Sequence, residues 1–93
     1  MIKLEMYSKN YCPYCDKAKF LVRQWQKLAP GKVSFEEYNV ESEPARFTEL
    51  KERAPQSRTF PQIFINGQPI GGCDDLYALD QRDELNRLLN LET

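Results

Sequence analysis

Histidine is absent from this sequence of 93 residues. Imidazole is the commonest general acid or base in enzymes and a frequent ligand of transition metals. Any catalysis by this chain must therefore rest on cysteine, carboxylate, lysine or tyrosine side chains.

The sequence also lacks an excess of charge of one sign and any long apolar run. Thirteen basic and fourteen acidic side chains leave a net charge of −1, so we expect no nucleic acid partner. No stretch approaches the roughly 20 apolar residues of a membrane span, and the N-terminus lacks the apolar core of a signal peptide. These absences favour a cytoplasmic protein that does not associate with membranes. The length and the 41% hydrophobic content predict a single domain covering residues 1–93.

Cysteine is scarce, and its number is odd. Three cysteines argue against a framework of disulfides and for thiols that react. A structural zinc site needs four ligands, which three cysteines without histidine do not supply, so we predict no metal site. Cys73 has two readings, because a buried cysteine is more often an inert apolar residue than a third redox thiol.

The first half of the chain predicts a βαβ unit. Ile2, Leu4 and Met6 alternate with polar residues, as in a strand from Ile2 to Ser8. A helix follows, and Pro30-Gly31 ends it. Its apolar residues at helical spacing are Ala18, Leu21, Val22, Trp25, Leu28 and Ala29. The stretch from Val33 to Val40 then reads as a second strand, parallel to the first.

The second half predicts a helix, a hairpin and a last helical region. Pro44 opens a short helix in which Ala45, Phe47 and Leu50 face inward. Asn66-Gly67 suits a type I′ turn between strands Gln62–Ile65 and Gln68–Gly71. After Gly71-Gly72, leucines at helical spacing are Leu76, Leu79, Leu85, Leu88 and Leu89. The fold class is therefore α/β, with a four-stranded mixed sheet flanked by helices.

The segment Cys12-Pro13-Tyr14-Cys15 places two thiols three positions apart at the start of the first helix. Positions i and i+3 share one helix face, so the two sulfurs lie within disulfide reach. Free N–H groups and the positive end of the helix dipole stabilise a thiolate at a helix N-terminus, where cysteine pKa values fall from about 8.5 to about 3.5–7.5. Cys12 is therefore the candidate nucleophile. Cys15, one turn deeper in the helix, is the candidate resolving thiol.

The order of these features resembles the glutaredoxin family across essentially the whole chain. The resemblance rests on the Cys-Pro-Tyr-Cys segment, on Thr59-Phe60-Pro61, and on the run from Gly71 to Leu76 with sequence Gly-Gly-Cys-Asp-Asp-Leu. It is closest to the bacterial-type dithiol members. The resemblance implies a thioredoxin-like fold and a glutathione-dependent thiol-disulfide oxidoreductase, with glutathione as reducing co-substrate and no tightly bound cofactor.

The resemblance also implies a glutathione site. It implies a cis peptide bond before Pro61, next to the dithiol, and backbone pairing of Thr59 and Phe60 with the cysteinyl moiety of glutathione. Lys9 matches a family lysine near the glycine carboxylate, and Tyr14 matches the aromatic residue that flanks the tripeptide.

The resemblance also implies that Gly72, Cys73 and Asp74, at the start of the last helical region, hold the γ-glutamyl end of glutathione. Glutathione carries two carboxylates and one ammonium, so a cation, a helix N-terminus and an acid suit it. Two departures from the family pattern stand out: Phe60 replaces a more usual valine, and the loop before Thr59 is about one residue longer. We assign no contact to Arg46 or Arg58.

The resemblance implies partners as well. These are glutathione and proteins that carry a disulfide or a glutathione mixed disulfide, with ribonucleotide reductase among the candidates, and we expect a monomer. Two alternatives stay open. One is a thioredoxin-like reductase served by a flavoprotein, and the other is a carrier of a glutathione-ligated iron-sulfur cluster, which Pro13 after Cys12 disfavours.

Overall fold

The computed structural model describes residues 1–91 and contains one mixed sheet with helices on both faces. The elements are β1 (Ile2–Ser8), α1 (Pro13–Leu28), β2 (Val33–Asn39), α2 (Pro44–Arg53), β3 (Gln62–Ile65), β4 (Gln68–Gly71), α3 (Cys73–Gln81) and α4 (Glu84–Leu91). The strand order is β2-β1-β3-β4. β1 pairs parallel to β2 and antiparallel to β3, and β3 pairs antiparallel to β4. The predicted βαβ unit, hairpin and mixed sheet are therefore confirmed.

Strand β1 lies inside the sheet and is buried on both faces. Ile2, Leu4 and Met6 face the main core with α1, α3 and α4. Tyr7 faces the other side, where it packs with Tyr38 and with Leu50 of α2. The dithiol segment follows β1 directly, so burial of β1 on both faces of the sheet holds the chain in place just before Cys12.

Helix α1 packs one face on the sheet, as its apolar spacing predicts. Trp25 is fully buried, and its Nε1 donates a hydrogen bond to Asp80 Oδ1 at 2.8 Å. The same spacing predicts Leu28 on the apolar face, but it is 73% exposed in the last turn. Ala29, the next residue, is buried in the core instead. No helix in residues 1–91 is both long enough and apolar enough to cross a bilayer.

Helix α2 contacts the sheet largely through charged and aromatic side chains. Leu50 is buried as predicted, but Ala45 is exposed and Phe47 is 43% exposed. The prediction that these two face inward is wrong, because arginines take the sheet-facing positions. The Arg46 guanidinium lies 4.0 Å from the Tyr38 ring centroid, and that of Arg53 lies 3.9 Å from the Phe64 ring centroid.

Arg53 also makes a two-pronged ion pair with Glu5 of β1. Its Nη1 and Nη2 each donate to one Glu5 carboxylate oxygen at 3.0 Å. Glu5 is buried, and the Tyr38 hydroxyl donates to the same carboxylate at 3.0 Å. These hydrogen bonds, that from Arg53 first, lower the pKa of Glu5 from its ordinary value near 4.5. They tie α2, and with it the loop that leads to Thr59, to the central strand.

The hairpin turn agrees with its sequence-based prediction, whereas the last helical region differs from its prediction. Asn66 and Gly67 have φ values of 50° and 84°, as a type I′ turn requires. The last helical region consists of two helices, because Asp83 has a φ of 60° and interrupts the ladder between α3 and α4. Three of the leucines are buried, namely Leu76, Leu85 and Leu88.

Replacing Glu5 by glutamine should lower the free energy of unfolding by roughly 2–3 kcal/mol at neutral pH, because it removes a buried charge-assisted pair with Arg53. The pKa of Glu5 is lowered by folding, so its contribution is present above about pH 4.5 and disappears as pH falls through the lower folded-state value. Urea unfolding of the wild type and Glu5→Gln over a pH series measures this difference.

Glu84→Gln is the matched control, since Glu84 pairs with the exposed Arg87 one turn away. Its effect should be much smaller. Equal losses for the two variants, or a Glu5→Gln difference that persists in acid, would contradict the role given to Glu5.

Candidate active site

The two sulfurs of the dithiol lie at the N-terminus of α1, after the loop that follows β1. Cys12 is the N-cap residue, Pro13 opens the helix, and the backbone N–H of Cys15 donates to Cys12 Sγ at 3.2 Å. An N-terminal amide that points at a sulfur stabilises negative charge there. Cys12 and Cys15 are both free thiols. The sequence predicted this placement of Cys12.

Both cysteines of the dithiol are buried, and Cys15, one turn deeper in α1, is 2% exposed against 7% for Cys12. Burial first, and then its hydrogen bond with Cys12, raise the pKa of Cys15 to about 12, while the Lys9 backbone amide and the Lys19 ammonium act in the opposite direction. A thiol of this kind stays protonated at neutral pH, as expected of a resolving group.

The segment Thr59-Phe60-Pro61 faces the dithiol. The Phe60-Pro61 peptide bond is cis, and the Phe60 carbonyl oxygen lies 3.8 Å from Cys12 Sγ. Gln62 Nε2 donates to the Thr59 carbonyl at 2.8 Å and so restrains the backbone at the start of this segment. The peptide geometry that the resemblance implied at Pro61 is present.

A cavity of about 290 Å³ lies between this segment and the start of α3. Six residues predicted for the glutathione site line it, together with Asp75: Tyr14, Thr59, Phe60, Gly72, Cys73 and Asp74. A Cβ at residue 72 would lie 3.3 Å from the Pro61 carbonyl oxygen, so glycine allows α3 to begin this close to Pro61. Asp75 Oδ2 accepts a hydrogen bond from the Gly72 amide at 2.8 Å.

Lys9 lies outside the lining of that cavity, beyond the Phe60 ring. Its Nζ is 5.7 Å from the ring centroid. This places a cation next to Phe60 but outside the cavity lining, while Asp74 lines the cavity at the start of α3. The site therefore has a positive end and a negative end.

Cys73 is buried at the start of α3, in the wall of the cavity. Burial raises the pKa of this thiol, and the nearby Lys17 acts against that effect. The inert reading of Cys73 fits this environment better than that of a third redox thiol.

Sequence reasoning missed a second, smaller cavity of about 100 Å³ on the α2 side of Phe60. Phe47, Lys51 and Arg58 are in its lining. The helical spacing of α2 predicts Phe47 facing inward, whereas it lines this cavity. Charged residues beside Thr59-Phe60-Pro61 were the available signal.

Another missed feature is a polar clamp that holds the loop before Cys12. The Asn10 amide and side chain donate to the Glu41 carboxylate at 3.1 and 3.3 Å. Asn39 Nδ2 donates to Asn10 Oδ1 at 2.9 Å.

Within residues 1–91, no group of three or more cysteine, aspartate or glutamate side chains is placed to hold a metal ion.

Known proteins resemble the chain along almost all of its length. Residues 4–70 match the glutaredoxin family model. Glutaredoxin 3 of Escherichia coli is 46% identical over 89 residues, which cover 96% of this chain and 99% of that protein. A probable glutaredoxin of Synechocystis is 44% identical over 87 residues, or 94% of this chain and 74% of that protein.

Solved structures agree with these sequence matches. The dithiolic glutaredoxin of Trypanosoma brucei brucei superposes with a TM-score of 0.74 at 34% identity, covering 92% of this chain and 84% of that one. The glutaredoxin of Brucella melitensis gives a TM-score of 0.70 at 36% identity, with 100% and 94% covered.

The thiol environments predict selective alkylation. At neutral pH, a limiting amount of iodoacetamide should modify Cys12 first, and Cys15 at least about 100-fold more slowly, because only the rare thiolate form reacts and the pKa of Cys15 is raised to about 12. Peptide mapping by mass spectrometry measures both rates. In urea the two cysteines should react similarly, and comparable rates in the folded protein would contradict the assignment.

Proposed function

The chain belongs to the glutaredoxin family and is a glutathione-dependent thiol-disulfide oxidoreductase, and we propose that Cys12 is its nucleophile and Cys15 its resolving thiol. The observation that carries this proposal is the position of Cys12 Sγ. It receives the Cys15 amide at 3.2 Å and lies 3.8 Å from the Phe60 carbonyl, beside the cavity between Thr59-Phe60-Pro61 and the start of α3. Cys15 is buried one turn below.

The proposed reaction has two thiol exchanges. The Cys12 thiolate attacks one sulfur of a substrate disulfide, and the other sulfur leaves with the electron pair of the broken bond and takes up a proton. Cys15 then loses its proton and attacks Cys12 Sγ, which releases the second substrate thiol and forms the Cys12–Cys15 disulfide. Two molecules of glutathione reduce that disulfide and leave as glutathione disulfide.

A glutathione mixed disulfide needs Cys12 only. Attack of Cys12 on the glutathione sulfur releases the substrate thiol and leaves glutathione on Cys12. A second glutathione then removes it as glutathione disulfide and restores the Cys12 thiolate. Cys15 takes no part in this route.

We infer that glutathione lies across Phe60 in an extended conformation. The backbone of Thr59 and Phe60 pairs with the cysteinyl moiety, as in strand addition. Lys9 attracts the glycine carboxylate. Tyr14, which is 60% exposed, covers the tripeptide from the side of α1, and Pro61 supports it from below.

The γ-glutamyl end then meets the start of α3. Its carboxylate accepts hydrogen bonds from the amides of Cys73 and Asp74 next to Gly72, where the helix dipole favours an anion. Its ammonium pairs with the Asp74 carboxylate. The positive end of the site near Lys9 and the acidic end near α3 support this direction.

The protein acts with glutathione on disulfide-bearing or glutathionylated proteins. Ribonucleotide reductase is one candidate substrate, and assay of its disulfide form with this protein tests it. We place the activity in the cytoplasm, because the potential of glutaredoxins, about −200 to −230 mV, lets a cytosolic glutathione pool keep the dithiol reduced. We expect the active protein to be a monomer.

Replacing each cysteine of the dithiol by serine separates the two routes. Cys12→Ser should abolish turnover of a small glutathione mixed disulfide and of a protein disulfide. Cys15→Ser should keep most turnover of the glutathione mixed disulfide and lose turnover of the protein disulfide. The assay couples glutathione disulfide formation to NADPH oxidation by glutathione reductase. Turnover that survives Cys12→Ser would overturn the proposal.

Charge removal at the two ends of the site should weaken glutathione binding. Asp74→Asn and Lys9→Met should each raise the KM for the glutathione mixed disulfide by roughly 3- to 10-fold with little change in kcat, because each loses one charge-assisted contact. Lys32→Met, which removes an exposed charge just before β2, is the control. A KM unchanged in both variants would contradict this placement of glutathione.

A further inference from the structure

The resolving step requires a thiolate where the fold disfavours one. Cys15 is 2% exposed and its pKa is raised to about 12, so the thiol form of Cys15 predominates strongly at neutral pH. Part of this penalty comes from Cys12. In the mixed disulfide, Cys12 has no negative charge, so the other groups around Cys15 decide how easily its proton leaves.

Lys19 is the charged side chain one turn after Cys15 on α1. Residues four positions apart lie on the same face of a helix. The Lys19 side chain is 22% exposed, so it is held against the protein instead of extending into water. Two groups favour the charged form of the Cys15 sulfur: the Lys9 backbone amide, whose effect is the larger, and the Lys19 ammonium.

Two carboxylates hold the Lys19 ammonium in this position. Its Nζ lies 3.2 Å from Glu37 Oε2 on β2 and 3.6 Å from Asp16 Oδ1 on α1. Ser8, the last residue of β1, donates its hydroxyl to the same Glu37 oxygen at 2.7 Å. The ammonium is therefore anchored to the ends of both strands that border the dithiol. The two carboxylates offset part of its charge, so its effect on Cys15 should be moderate.

We propose that Lys19 is a positioning residue of the resolving step, whose ammonium stabilises the Cys15 thiolate as it attacks the Cys12 mixed disulfide. The inference rests on the proposed function, in which Cys15 resolves. In this step the Cys15 proton passes to solvent and the Cys15 sulfur bonds to Cys12 Sγ. The substrate sulfur leaves with the electrons of the broken bond and is protonated by solvent. Cys12 attack on the substrate does not involve Lys19.

A chemical probe isolates the step without any enzymatic turnover. Dithiobis(nitrobenzoate) reacts with Cys12 and releases one nitrothiobenzoate, which absorbs visible light. Cys15 then attacks the Cys12 mixed disulfide and releases a second. Stopped-flow absorbance gives both rates, and Cys15→Ser measures whatever Cys73 contributes to the second phase. The series runs from mildly acidic to mildly alkaline pH.

Lys19→Met should slow the second release by about 3- to 10-fold at every pH below the pKa of Cys15, because loss of a nearby opposite charge shifts a pKa by about 0.5 to 1 unit. The first release should stay within about 2-fold of wild type. Lys19→Arg should keep a nearly wild-type second rate, since it retains the charge. Arg23→Met removes an exposed charge one turn further along α1 and should change neither rate.

The same variants separate failure of the inference from failure of the proposed function. In the Cys15→Ser background, Lys19→Met should leave turnover of a glutathione mixed disulfide unchanged. A second release that Lys19→Met leaves at the wild-type rate, or equal slowing of both releases, would overturn the role of Lys19. Absence of glutathione-dependent turnover in the wild type would overturn the proposed function, while the two release rates would still decide the role of Lys19.

Discussion

Cys12 caps helix α1 with its own sulfur, and the position of that atom organises the site around it. The contact from the Cys15 amide forms only because α1 begins at Pro13, directly after the loop that follows β1. β1 in turn is held by its burial on both faces of the sheet. A shift of the helix start by one residue would move the sulfur away from the N-terminal amides and from the Phe60 carbonyl. The reactive atom thus depends on packing in the centre of the sheet.

The rest of the site is brought to that sulfur by two separate routes. The Glu5–Arg53 pair ties α2 to β1 and so restrains the loop that carries Thr59 and Phe60. The glycine at position 72 lets the start of α3 approach Pro61. The site has two ends, a cationic one at Lys9 beside Phe60 and an acidic one at the start of α3. A tripeptide with a carboxylate at each end and an ammonium at one of them suits this polarity.

The sequence predicted the order of elements because its strongest local signals agree with the fold. The alternation in β1, the turn at Asn66-Gly67 and the helix start at Pro13 each favour one local structure. The site residues were found through motif order, since Lys9 or Thr59 alone carries no signal. The buried face of a short helix was harder to predict. In α2 the arginines pack on the sheet, and Phe47 is partly exposed. The break at Asp83 and the contacts of Lys19 depend on packing between distant segments, which periodicity does not report.

The central claim is that Cys12 accepts glutathione beside Phe60, and the structure of the Cys15→Ser protein carrying glutathione as a mixed disulfide tests it most directly. Our account predicts a disulfide to Cys12, backbone pairing of the cysteinyl moiety with Phe60, and the γ-glutamyl carboxylate at the amides of Cys73 and Asp74. A tripeptide joined to another cysteine, or one that leaves the Phe60 backbone unpaired, would contradict it.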